Sequence, residues 1–103
     1  MAAQTEGFAI TFPDGYDARS EFETPARGYL SDVVVRLENG TSYQLFFVDP
    51  ARLQQELAEN GQSGKPYFVE PNLIVLPEVS TASIRKAVEG LVQASYFQHL
   101  KPR

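Results

Sequence analysis

The chain has 103 residues, room for one domain of ordinary size, with 43% hydrophobic and 12% aromatic residues; such a mix folds around a core. It lacks cysteine and tryptophan, holds one histidine, and carries 9 basic against 13 acidic side chains for a net charge of −4. Disulfide scaffolds, thiol nucleophiles, thiolate zinc sites and paired-histidine metal sites are thereby excluded.

Residues 1–103 are accordingly read as a single α+β domain. The N-terminal stretch has no positive region and no long apolar run, so no secretory signal is expected there. The longest apolar runs, 45–48 and 73–76, are strand-sized and far short of the ~20 residues that cross a bilayer. With cysteine absent, a cytoplasmic location is expected. Asn39-Gly40-Thr41 formally matches a glycosylation acceptor and is read as a turn.

Phe8, Ile10 and Phe12 alternate with Ala9 and Thr11, the pattern of a half-buried strand, and Pro13-Asp14-Gly15 ends it. Residues 16–28 are polar and interrupted by Pro25 and Gly28. A short edge strand over 21–24 is the reading there.

Val33, Val35 and Leu37 then alternate with Val34 and Arg36, and Tyr43, Leu45 and Phe47 with Gln44 and Phe46. Parity selects the turn between them. A two-residue Asn39-Gly40 loop would put the two apolar triplets on opposite faces. A three-residue Glu38-Asn39-Gly40 loop pairs Leu37 with Thr41 and Val35 with Tyr43, and places all six on one face, which a one-sided core requires. The expected loop is a type I turn followed by a left-handed glycine in a bulge.

Asp49 as N-cap and Pro50 at the first helical position open a helix over 50–60, with Val48 and Leu53 as a hydrophobic staple and Asn60-Gly61 as the stop. Residues 67–70 and 73–76 are two apolar runs around Pro71-Asn72, read as a second hairpin, with one bent strand as the alternative. Ser80 caps the last helix, 81–98. Ile84, Ala87, Val88, Leu91, Val92 and Ser95 form one stripe along it. The fold class is α+β: a two-layer sandwich, mainly an antiparallel sheet of four to six strands with two helices, 50–60 and 81–98.

The chemistry sought in the sequence is mostly absent. Gly64-Lys65 resembles the end of a phosphate-binding loop, but Glu59 stands where the first glycine belongs and Pro66 follows the lysine. His99 lies close to the chain end and is read as a solvated residue at a helix terminus. Asp14, Asp17, Glu21 and Glu23 lack the alternating pattern of a calcium loop. Glu70 and Glu78 adjoin prolines and are read as turn residues. Hence no catalytic residue, cofactor or metal is assigned, and an enzyme is disfavoured. Nucleic acid is disfavoured as well, because its binding needs clustered lysine and arginine.

Charge is unevenly spread: acids gather at 14–23 and bases at 85–103. The ordinary explanation is two solvated faces; the alternative is a pair of patches for a partner or a symmetric mate.

What remains is surface. The reverse face of the hairpin shows Val34, Arg36, Ser42, Gln44 and Phe46. An aliphatic, an aromatic and an arginine together resemble the core of an interface, unless another part of the chain covers them. Val34, Arg36, Gln44 and Phe46 are therefore the expected partner-binding residues. The expected function is a non-enzymatic interaction domain for a protein partner or for itself. Tyr96, Phe97 and Leu100 either complete the core or add a contact patch. In size, acidity and class the chain resembles small bacterial binding proteins, immunity proteins that block a toxin among them; the likeness is one of class and carries no motif. The alternative is a small-molecule binder or minor enzyme with a pocket between sheet and helices, using Arg27, Arg36, Tyr43 or Glu70.

Overall fold

The protein is described over residues 7–103 by a computed structural model; residues 1–6, where no secretory signal is expected, lie outside. The hairpin forms as parity requires. Strands β2 (Tyr29–Leu37) and β3 (Ser42–Val48) pair Val33 with Leu45 and Val35 with Tyr43. The Leu37 N–H donates to Thr41 O at 2.9 Å, and Gly40 takes φ 88° as the left-handed bulge residue. Val33, Val35, Tyr43, Leu45 and Phe47 are all buried on the shared face.

Strand β2 runs four residues further back than the alternation shows, because a bulge breaks the period. Leu30 pairs with Phe47 and Val33 with Leu45, three residues against two. The extra residue lets Leu30 and Val33 both point inward, and Asp32 absorbs the kink at φ 61°.

Strand β1 (Phe8–Thr11) pairs antiparallel with β2, setting Ile10 opposite Val35. The sheet order is β1-β2-β3-β4, and β4 (Leu73–Val75) runs parallel to β3 with Leu73 opposite Phe46. This overturns the second hairpin. Residues 67–70 form no strand, and Pro71-Asn72 leads into β4 rather than turning between two strands. A parallel neighbour needs a long crossover, which α2 (Pro50–Gln62) supplies. Of the apolar run 67–70 only Phe68 is half-buried, its ring 6.1 Å from that of Phe46, while Tyr67 and Val69 are exposed.

The edge strand expected over 21–24 is also overturned: α1 spans Ala18–Arg27. Asp17 caps it, accepting the Ser20 N–H at 2.9 Å, and Gly28 closes it at φ 79° with its N–H on Thr24 O. Glu23 joins Arg19 and Arg27, four residues to either side, at 3.2 Å each. These local terms hold the helix with Pro25 in its last turn. Thr24 is fully buried, and its hydroxyl donates to Ser20 O at 2.7 Å, so no polar group is stranded.

Three α-helices therefore replace the two expected. The last, α3, spans Thr81–Gln93, shorter than read. Ser80 and Ser83 bond each other's backbone N–H as a capping box. The helix ends because Ser95 turns left-handed, φ 55°, before a 3-10 turn at Tyr96–His99. That turn aims Phe97 into the core, where it packs 4.9 Å from Tyr43. Ile84 and Val88 of α3 meet the same core face. No residue of α2 joins that cluster; Arg52 instead stacks 4.4 Å over the ring of Tyr29 on the opposite face. The sheet is thus mixed, and its two longer helices do not share one face as a two-layer sandwich would have them.

The acidic stretch and the basic last helix adjoin inside the chain. Phe12 stacks on Tyr16 at 4.8 Å, Tyr16 shares a 2.8 Å hydrogen bond with Thr81, and the Arg85 guanidinium lies 5.5 Å from the Phe12 ring. Among the described residues, no helix is long and apolar enough to cross a membrane.

Candidate functional site: the reverse face of the hairpin

The register places Val34 opposite Gln44 and Arg36 opposite Ser42 on the face away from the core. Val34, Arg36, Gln44 and Phe46 are thereby brought together. Arg36 and Gln44 are exposed, while Val34 and Phe46 are half-buried. The chain covers this face unevenly. Phe46 packs edge-on against Tyr29 at 6.4 Å as well as against Phe68. Among the described residues, no aromatic ring pair covers the Arg36 end.

Beside Phe46 the face opens into a groove of about 510 Å³. Tyr29 and Phe46 supply its aromatic lining, Asp32 and Glu70 its carboxylates, and Lys101 and Arg103 its cations. Its size falls within the range of ligand sites, ~300–1,000 Å³. The Gln44 amide donates to Asp32 Oδ1 at 2.6 Å, which ties the bulge to β3.

The C-terminal residues reach this groove because they complete a sheet edge. The outer side of β3 is covered by β4 along 46–48 only. Along 42–44 it is covered by 101–103: Tyr43 bridges Pro102, and the Arg103 N–H donates to Ser42 O at 2.8 Å. Asn72 binds the pieces together. Its Nδ2 donates to Lys101 O at 2.8 Å and Gln44 O at 3.1 Å, and its Oδ1 accepts the Lys101 N–H at 2.8 Å. An uncovered edge is a template for aggregation, so this patch has a structural use.

Tyr29, Asp32, Asn72, Lys101 and Arg103 escape sequence reasoning. The one signal for Asp32 is the polar pair Ser31-Asp32 ahead of the alternation. Asn72 signals itself only as a residue type that tolerates the left-handed region.

The residues of the small-molecule alternative are not gathered. Tyr43 is buried on the core face, Arg36 is exposed on the reverse face, Arg27 ends α1, and Glu70 borders the groove. A separate cavity of about 330 Å³ lies between sheet and helix, lined by Leu37, Tyr43, Val92, Phe97 and Gln98 among others.

The acidic stretch is occupied locally. The Ser20 backbone N–H, then its side chain, hold the Asp17 carboxyl below its ordinary range, and Glu23 serves two arginines. Among the described residues, no three His, Cys, Asp or Glu side chains stand together as a metal site. His99 is exposed, with its ring 5.3 Å from Tyr96.

Compared with protein-family models, curated proteins and solved structures, the chain matches none.

Proposed function

We propose that the chain works as one non-enzymatic binding domain of the adaptor or immunity kind, taking a protein partner or a second copy on the reverse face of the β2–β3 hairpin. The observation that carries this reading is the shared exposure of Arg36 and Gln44 beside the half-buried Val34 and Phe46. Mixed arginine–aromatic surfaces of this kind supply the anchors of interfaces. The net charge of −4 argues against nucleic acid and anionic membranes as partners. The absence of cysteine suits a reducing compartment such as the cytoplasm.

Phe46 is a poor residue to mutate first, since Tyr29 and Phe68 pack on it. The double variant Arg36→Glu/Gln44→Arg changes exposed side chains, and the Gln44→Arg guanidinium can take the Asp32 carboxylate in place of the amide. It should fold as the parent does and lose the companion that the parent retains through gentle isolation. Retention of the same companion by the variant would refute the assignment of this face.

The 330 Å³ cavity against Tyr43 and Phe97 supports a second reading, a small-molecule site between sheet and helices. A thermal-shift screen separates the two: a hit of several degrees, abolished by Gln98→Ala and untouched by Arg36→Glu, favours the cavity.

A further inference from the structure

One tripeptide occurs twice in the chain, as Glu38-Asn39-Gly40 and as Glu59-Asn60-Gly61. Asparagine before glycine is open to attack by the following backbone nitrogen on its own side-chain amide, because glycine has no side chain to shield that nitrogen. The immediate sequence treats the two sites alike, and the fold does not. Asn39 and Gly40 are exposed in the turn between β2 and β3, with Glu38 exposed before them. The Thr41 N–H donates to Asn39 Oδ1 at 2.9 Å. Asn60 is half-buried in the last turn of α2. Its Nδ2 donates to Tyr67 O at 2.8 Å, and its backbone carbonyl accepts the Lys65 N–H at 2.8 Å. Gly61 lies inside α2, whose N–H groups are spent on the helical ladder.

We propose that Asn39 is a site of spontaneous covalent modification, deamidation through a succinimide, and that the fold protects Asn60 from the same reaction. The Gly40 nitrogen attacks Asn39 Cγ and gives its proton to base. A C–N bond forms, the Cγ–Nδ2 bond breaks, and Nδ2 takes up a proton and leaves as ammonia. Water then opens the ring at either carbonyl, leaving aspartate or isoaspartate, with no change in oxidation state. Two features of the turn favour this step. The Thr41 N–H polarises the Asn39 side-chain carbonyl and faces the negative charge that develops on Oδ1. The Gly40 N–H is held by Leu37 O at 2.9 Å, but residues 38–40 are all exposed, so opening of the turn is a local event of low cost. At Asn60 the leaving nitrogen is itself the anchored atom, and bringing the Gly61 nitrogen onto Cγ requires the end of α2 to unwind. Conversion of Asn39 adds one negative charge to the net −4. Isoaspartate also lengthens the main chain of the loop whose length sets the hairpin register. The modification requires no partner on the reverse face.

The test is peptide mapping by mass spectrometry of the full chain during incubation in mildly alkaline buffer, both folded and in concentrated urea. In the folded chain Asn39 should convert at least about tenfold faster than Asn60, giving aspartate and isoaspartate together. In urea the two sites should convert at comparable rates, since they share their tripeptide and the fold alone separates them. Asn39→Gln should remove the fast conversion from the folded chain and leave the slow one. Asn60 keeping pace with Asn39 in the folded chain, or the same gap persisting in urea, would overturn the proposal. So would aspartate formed without isoaspartate, which bypasses the ring, or a folded chain in which neither site converts while both convert in urea.

Discussion

Asn72 combines a left-handed backbone, φ 55°, with three side-chain hydrogen bonds to Gln44 and Lys101. The two roles can be separated. Asn72→Gly keeps the backbone conformation and removes the bonds, so it should destabilise by about 1 kcal/mol. It should also speed hydrogen exchange at the Lys101 and Arg103 amides. Unchanged exchange at those amides would show that the C-terminal residues are held by something else. Gly28 makes the opposite case, a residue needed for what it lacks. At φ 79° an added Cβ would stand 2.9 Å from both Asp49 carboxylate oxygens and 3.1 Å from Arg52 Cβ. The left-handed strain of about 1–2 kcal/mol then adds to displacement of the α2 cap, ~1 kcal/mol. Gly28→Ala should therefore cost about 2 kcal/mol or more in urea unfolding. Gly15→Ala, at φ 80° with open space around it, should lose only the strain. Equal losses for the two would remove the contact with Asp49 from the account.

At the scale of elements, helices α2 and α3 look alike in length and capping and differ in what they bury. α3 buries Ile84 and Val88, whereas α2 buries no residue. Ile84→Ala should cost 2–5 kcal/mol, about the range for a buried aliphatic residue. Leu53→Ala should cost under ~1.5 kcal/mol, since only part of a leucine's transfer free energy is at stake. Denaturant titration of the two variants checks the ranking, and a reversed order would place the core on the wrong face of the sheet. The same contrast explains what could be read from the sequence. The hairpin was legible down to its register because two alternating triplets and a glycine leave one loop length that buries both. Both later helices were legible from their caps, Asp49 and Ser80. α1 was hidden by Pro25, although its cap Asp17 and terminator Gly28 are in plain view. β4 was misread because an apolar run after a proline carries no sign of strand direction. Parallel pairing follows from the crossover of α2, a tertiary fact.

For the whole molecule, the four partner-binding candidates were legible as a face because strand parity alone decides which side chains share one. The groove was not, since it joins residues from β2, β3, the loop before β4 and the chain's last residues, and no local pattern links them. This reverse face is proposed to make contact with another protein molecule. Its most direct test is light-scattering mass on the gently isolated protein, comparing the parent with Arg36→Glu/Gln44→Arg. The parent should travel with a companion, a copy of itself or another chain, and the variant should run alone at 11.5 kDa with unchanged melting. A parent that runs alone, or a variant that keeps the same companion, would contradict it.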